Sequence, residues 1–300
     1  SVLTEAQRKY IGIYGGARGR EDVCKRVESA DCVLILGALM TDINLGIYTA
    51  KLDVAKTINA NADRIAIKHH VYENVKLKHF IEGLASAKIG PNRKFTHKQR
   101  RIPAYKAKPG AAITVQRLFA RMNHFLDERS VVICDIGDSL FGAADLTIHR
   151  RTEFLSPAYY TSMGFAIPAA IGAQANQPRR RPIVFVGDGA FQMTGQELST
   201  IVKEGLNPIV IVLNNKGYST ERFINDGPYN DIQDWAFHKL PDVLGAGTGY
   251  EVRTEGDLET VLAAVDKDKK AFSIVNVHLD PYDRSTAMER LGKRLGERVR

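Results

Sequence analysis

The chain has 300 residues, 44% of them hydrophobic and 25% charged, an ordinary globular composition whose length suggests two domains. No apolar run approaches the roughly 20 residues of a membrane span, so no membrane partner is expected. The three cysteines, Cys24, Cys32 and Cys134, form no C-x-x-C pair, which argues against a zinc or dithiol motif and fits a reducing, cytoplasmic setting. The net charge of +8 is locally concentrated: Lys88 to Lys108 holds eight Lys or Arg and no acid. Few aromatics interleave there, and Pro91, Pro103 and Pro109 break it, so residues 87–110 read as a solvated basic linker rather than a nucleic-acid arm.

Residues 1–86 alternate apolar runs with helical patterns. Ile11–Tyr14, Cys32–Gly37 and Arg64–Lys68 are predicted strands, and Glu21–Ala30 and Val71–Ala85 predicted helices. Such alternation predicts a parallel sheet, here about half of a Rossmann-like domain. Residues 111–300 form a second α/β domain. Ala112–Leu126 is a predicted helix and Val131–Asp135 a strand. A glycine-rich helix follows near Gly164–Ala175, then strands at Ile183–Val186, Ile209–Leu213 and Phe272–Leu279, and a final basic helix.

The stretch IVFVGDGAFQMTG, Ile183 to Gly195, carries the chemistry. Gly187 and Gly189 predict a sharp turn around Asp188. Thr194-Gly195-Gln196-Glu197 has the form of a capping box, predicting a helix Gly195–Lys203 that ends near Gly205. The segment from Ile183 to Leu213 is then a β-α-β unit. Its two strands run the same way, so Asp188 and the pair Asn214-Asn215 leave the same, carboxyl edge, where α/β sheets bind ligands. A carboxylate and an amide carbonyl are hard oxygen donors of the kind Mg²⁺ takes, and glycines let main-chain N–H groups approach a phosphate. Either motif alone is a common turn; together they read as a Mg²⁺–diphosphate site.

G-D-G followed after 24 residues by N-N resembles the motif of thiamine-diphosphate-dependent enzymes. Nearly the whole chain is similar to the C-terminal part of the pyruvate/indolepyruvate/phenylpyruvate decarboxylase family, most clearly from Asp135 to Ile224. The resemblance implies a parallel-sheet diphosphate-binding domain at 111–300 with helices on both faces, preceded by part of a central domain. It implies Asp188, Asn215 and the carbonyl of Gly217 as Mg²⁺ ligands. Gly187, Gly189 and Ala190 would contact the diphosphate, and Gly137 and Ser139 the same end. Met163 would prop the cofactor into a bent shape, and the backbone of Thr161 would accept from its aminopyrimidine. Glu221, six residues after Asn215, matches the acid that decarboxylases of this family keep and that carboligating relatives of the acetolactate synthase type usually lack. After CO₂ leaves, a carbon must take up a proton, and a positioned carboxyl manages such transfers. The residues alone also allow Glu221 as a first-turn helix acid beside Arg222. Thr220 and Ile224 lie on either side of Glu221 and are expected to shape the substrate pocket.

The implied reaction converts a 2-oxo acid to an aldehyde and CO₂. The implied assembly is a homo-oligomer, dimer or tetramer, or a complex with a separate pyrimidine-binding domain. That domain supplies the family's activating glutamate and catalytic His pair, and it has no counterpart here, so the chain alone is expected to be inactive. A carboligase subunit and a non-catalytic cofactor-binding module stay open as alternatives. Asp138 departs from the pattern, standing where several members have threonine; a charge there would repel phosphate, so it is expected to turn away or to meet the substrate side. His69-His70 reads as a structural pair, and YGGARGR, Tyr14–Arg20, as a turn without dinucleotide-loop spacing.

Overall fold

The structure, a computed structural model, describes residues 7, 9–90, 101–148 and 153–299, with side chains described up to residue 294. Residues 91–100, about half of the basic stretch between Lys88 and Lys108, lie outside the described residues. The chain divides into two units, residues 11–100 with 290–300, and residues 1–10 with 101–289.

The first unit runs α1 (Glu21–Glu28), β1 (Val33–Leu36), β2 (Thr57–Ala60), β3 (Arg64–Ile67), β4 (His70–Glu73) and α2 (Leu77–Ser86). Its sheet has the order β1-β2-β3-β4. Only β1 and β2 are parallel; β2/β3 and β3/β4 are antiparallel, which corrects the expected all-parallel sheet. Ile67 pairs with His70, so two residues close the β3/β4 hairpin, and Lys68 takes φ 55°, the rotation such tight turns use. The predicted helix from Val71 therefore begins only at Leu77, because Val71–Glu73 pair across the hairpin. Ile11–Tyr14 forms no strand. His69 and His70 sit exposed at this turn rather than in a core. Among the described residues, the unit's buried apolar side chains are Val23, Ala60, Ile65 and Leu291, whereas Leu34 and Leu36 stand exposed along β1.

The second unit begins with α3 (Val115–Met122), β5 (Ser130–Cys134), α4 (Asp138–Ala143), β6 (Glu153–Leu155), α5 (Ala166–Asn176) and β7 (Arg181–Gly187). It continues with α6 (Asp188–Thr194), α7 (Leu198–Lys203), β8 (Ile209–Asn214), α8 (Ser219–Ile224) and α9 (Leu240–Leu244). It closes with β9 (Thr248–Val252), α10 (Glu255–Lys267), β10 (Ser273–His278) and α11 (Thr286–Val299), whose later turns fall in the first unit. The six strands are all parallel in the order β6-β5-β7-β8-β10-β9. Strand order reverses between β5 and β7, which opens a crevice at their carboxyl ends.

The central strands are buried on both faces, as their unbroken apolar runs require. Val184, Val186, Val210 and Val212 pack on one side with Ala166, Ala170, Phe191, Leu198 and Ile201. Phe185, pointing the other way, meets Phe119 of α3 with ring centroids 5.0 Å apart. A Cβ on Gly142 of α4 would run into the Phe119 ring, so this glycine lets α4 lie flat against α3.

The helix after β7 starts at Asp188, earlier than the predicted Gly195, and a 3₁₀ turn at Gly195–Glu197 joins α6 to α7. No capping box forms at Thr194. Its hydroxyl donates to the Gly164 carbonyl at 2.9 Å, and Glu197 accepts from the Thr200 hydroxyl instead. The same pattern does cap α10: Thr254 accepts from the N–H of Asp257, whose carboxylate accepts from the N–H of Thr254. Next to it the buried Glu255 takes a two-pronged bond from Arg117, both contacts 2.6 Å, with the Lys108 N–H and Tyr105 hydroxyl adding to it. These donors, led by Arg117, hold its carboxyl down at about 2.

Candidate cofactor site at the carboxyl edge

Parallel register sets the ends of three strands side by side: Cys134 pairs with Phe185 and Gly187 with Leu213. The residues that follow, Asp135, Asp188 and Asn214-Asn215, therefore line one edge. Asp188 is 2% exposed. Its carboxylate accepts from the N–H of Gly189 at 2.7 Å and of Gly217 at 3.2 Å, with the N–H groups of Lys216 and Asn215 also close. Burial nevertheless outweighs these main-chain donors and pushes its carboxyl up to about 6.

The backbone gives Asp188 its setting. Gly187 has ordinary extended geometry and Gly189 lies inside α6, so neither glycine is needed for a left-handed turn. Gly189 is needed for space: a Cβ there would strike the Tyr218 ring. Gly217 is needed for both reasons. It takes φ 154°, and a Cβ would run into the Asn230 carbonyl.

Asn214 and Asn215 point to opposite sides, as neighbours leaving a strand do. The Asn214 amide donates to Asp234 at 3.0 Å and Asn276 at 3.1 Å. Asn215 is buried, and its Oδ1 has no hydrogen-bond partner. The buried guanidinium of Arg222 ties down the loop between them: it donates to the carbonyls of Asn215, Lys216 and Pro281 and to the Asp231 carboxylate. A buried acid carboxylate, an amide oxygen without a donor and a nearby main-chain carbonyl fit the hard-oxygen requirement of Mg²⁺. No cluster of three His, Cys, Asp or Glu side chains suited to a metal occurs among the described residues, so a metal here rests on this mixed set.

On the β5 side, Gly137 takes φ 78° at the start of α4, and a Cβ there would come 3.3 Å from the Thr220 hydroxyl. This brings Thr220 beside the β5 loop. Ser139 is buried with its hydroxyl unpartnered. Asp138 accepts from the Ser285 N–H at 3.2 Å, at the entry to α11, and burial pushes its carboxyl up to about 6. Thr161 takes φ 57° and donates its N–H to the Pro157 carbonyl. Met163 is exposed on the same segment.

Sequence reasoning missed Asp135. Wholly buried, it accepts from the N–H groups of Gly164 at 3.2 Å and Ala166 at 2.9 Å, and so anchors the first turn of α5 next to Met163. Burial raises its carboxyl, offset by those main-chain donors. A strand ending in an acid, facing a helix whose own N-cap is Phe165, was the available signal. Glu221 lies in the first turn of α8, exposed and without a side-chain partner among the described residues. Arg222 is engaged elsewhere, so the two do not pair. Ile224, at the end of α8, is 71% exposed.

Residues 135–277 match the family described as thiamine pyrophosphate enzyme, C-terminal TPP binding domain. The chain is 30% identical over 294 residues to an alpha-keto-acid decarboxylase of Mycobacterium ulcerans, covering 94% of this chain and 51% of that protein. It is 31% identical over 289 residues to the alpha-keto-acid decarboxylase of Mycobacterium tuberculosis strain H37Rv, covering 93% and 51%. The chain thus spans about half the length of the curated relatives it matches. The G-D-G and N-N pair on the carboxyl edge of this parallel sheet thus lie within the segment that is similar to the C-terminal TPP binding domain of thiamine pyrophosphate enzymes.

Proposed function

We propose that the chain forms the Mg²⁺- and diphosphate-holding part of a non-oxidative 2-oxo-acid decarboxylase, which converts a 2-oxo acid to an aldehyde and CO₂. The observation that carries this reading is the unpartnered, buried Oδ1 of Asn215 on the same sheet edge as the buried Asp188 carboxylate. Asp188, Asn215 and the Gly217 carbonyl would hold the metal. The N–H groups around Gly189 and Ala190 would meet diphosphate oxygens, with Gly187, Gly137 and Ser139 alongside. A Cβ on Gly187 would meet nothing within 4 Å, which leaves room beside it. When bound, thiamine diphosphate supplies the electron sink that loss of CO₂ requires.

The protein's own part is positioning and proton control. Met163, steadied through Gly164 by Asp135, would support the bent cofactor, and the Thr161 backbone would accept from it. The Glu221 carboxyl, free of ion pairs among the described residues, would deliver the proton that replaces CO₂. Thr220 and Ile224 would bound the substrate. Tyr159, Tyr160, Tyr229 and Tyr282, all more than 60% exposed, favour an oligomeric partner or a separate pyrimidine-binding domain. The three free cysteines support a cytoplasmic setting. Among the described residues, no helix is long and apolar enough to cross a membrane.

The test is calorimetric titration of thiamine diphosphate with and without Mg²⁺. Binding should require Mg²⁺ and vanish in Asp188→Ala while the fold persists. Unchanged Mg²⁺-dependent binding in that variant would sink the assignment.

A further inference from the structure

A row of polar side chains crosses the carboxyl end of the six-stranded sheet on the face that Asn214 occupies. Parallel register sets Asn214 beside His278 and Asn276 beside Glu251. One step lower on this face, Val210, Val212 and Ile274 pack with Phe237 in the apolar layer. Asn214 and Asn276 are each 1% exposed, in a place where apolar side chains would pack without needing partners. Here the two amides depend on their neighbours instead. Asn214 Nδ2 donates to Asp234 Oδ1 at 3.0 Å and to Asn276 Oδ1 at 3.1 Å, and Asn276 Nδ2 lies 3.3 Å from His278 Nε2.

Asp234 does more than accept one of these bonds. Its Oδ1 takes the Asn214 amide, and its Oδ2 lies 3.5 Å from the Lys216 ammonium. One carboxylate thus grips the residue before Asn215 and the residue after it. Between them the chain leaves β8 and turns, with Lys216 at φ 61°, a rotation that side chains other than glycine disfavour. The carboxylate also settles which way the Asn214 amide faces. It only accepts, so the NH₂ end must point to Asp234, and Asn276 Oδ1 takes the second hydrogen. An amide held from two sides cannot rotate without losing both bonds. Asn215, the next side chain along, leaves the backbone on the other side, in a direction set by this fixed neighbour. Arg222 holds the main-chain carbonyls of Asn215 and Lys216, and Asp234 supplies the side-chain half of the same grip.

We infer that Asp234 is a positioning residue for Asn215, fixing the direction of that buried, unpartnered amide oxygen through Asn214 and Lys216. The inference rests on the proposed role of Asn215 as a Mg²⁺ ligand.

The test follows thiamine diphosphate binding to the 300-residue chain by calorimetry over a range of Mg²⁺ concentrations. Asp234→Ala and Asp234→Asn both remove the charge and the Lys216 pair, and only the asparagine keeps an acceptor for Asn214. Asp234 is partly exposed, so both variants should fold. Asp234→Ala should raise the Mg²⁺ concentration for half-maximal binding about 10- to 100-fold, the usual cost of losing a group that orients a metal ligand. Asp234→Asn should stay within about fivefold of the parent chain, the most that an exposed ion pair contributes. At saturating Mg²⁺ the cofactor affinity of Asp234→Ala should return to the parent value. An affinity lowered at every Mg²⁺ concentration would make Asp234 a merely structural residue, and equal Mg²⁺ requirements in the two variants would overturn the inference. Asn215→Ala separates this role from the ligand reading. An unchanged Mg²⁺ requirement in that variant overturns both, whereas a raised one beside an unchanged Asp234→Ala overturns the positioning role alone.

Discussion

The guanidinium of Arg222 donates to the main-chain carbonyl of Asn215 at 3.2 Å, so a residue whose own amide oxygen is unpartnered, like that of Asn214, is held by a buried cation. The same group reaches the Lys216 and Pro281 carbonyls. Replacing it with leucine leaves those acceptors without donors. Arg222→Leu should lose about 2–4 kcal/mol in urea unfolding. Arg222→Lys restores the charge but lacks the fork, so it should recover stability more than Mg²⁺-dependent cofactor affinity. Parallel loss and recovery of both would make Arg222 a merely structural residue.

Asp138 is a second buried charge at this edge, and its cost is measurable. Its carboxyl sits at about 6 in the folded chain, against an ordinary value near 3.9. Between those values the folded state holds a proton that the unfolded state has released. Stability from this group is therefore present below about pH 4 and lost as pH rises to about 6, on the order of 3 kcal/mol in all. Asp138→Asn keeps an acceptor for the Ser285 N–H and removes the charge. Urea midpoints from pH 4 to 8 should show a flatter profile and a more stable chain at pH 7.5. An unchanged slope would mean that Asp138 does not titrate there.

The parts of the site legible in sequence are those whose chemistry lies in the residue itself at a strand end. Asp188 and Asn215 announce themselves because a carboxylate and an amide closing two parallel strands must share an edge. Asp135 and Arg222 do not, since their work is done on backbone groups 29 and more residues away or on carbonyls of another loop. The capping box was misread because Thr194 and Thr254 open the same spacing; only tertiary contact sends the Thr194 hydroxyl to Gly164. The β4 hairpin was read as helix because Val71–Glu73 is too short for strand alternation to separate from helical spacing.

Gly189 and Tyr218 form a contact that admits no Cβ. Gly189→Ala must displace the tyrosine ring or bend α6, and overpacking of this kind costs about 1–3 kcal/mol. If the ring is the cause, Tyr218→Leu should recover most of that loss in the double variant, a coupling read by a double-mutant cycle. Additive losses would place the strain in the backbone instead.

Glu221 separates binding from chemistry. Its side chain is exposed and unpaired among the described residues, so Glu221→Gln should change stability by less than about 0.5 kcal/mol. Thiamine diphosphate and Mg²⁺ should bind as before, because the proposed metal set is Asp188, Asn215 and Gly217. The isolated chain should give no aldehyde from pyruvate or phenylpyruvate, with or without the substitution. In the proposed oligomer or complex with 2-oxo-acid turnover, Glu221→Gln should slow aldehyde release about 10²- to 10⁴-fold, the usual range for a lost proton donor. The aldehyde assay and the cofactor titration must therefore part company in this one variant. Lost cofactor binding would make Glu221 part of the scaffold, and undiminished turnover would remove it from the reaction.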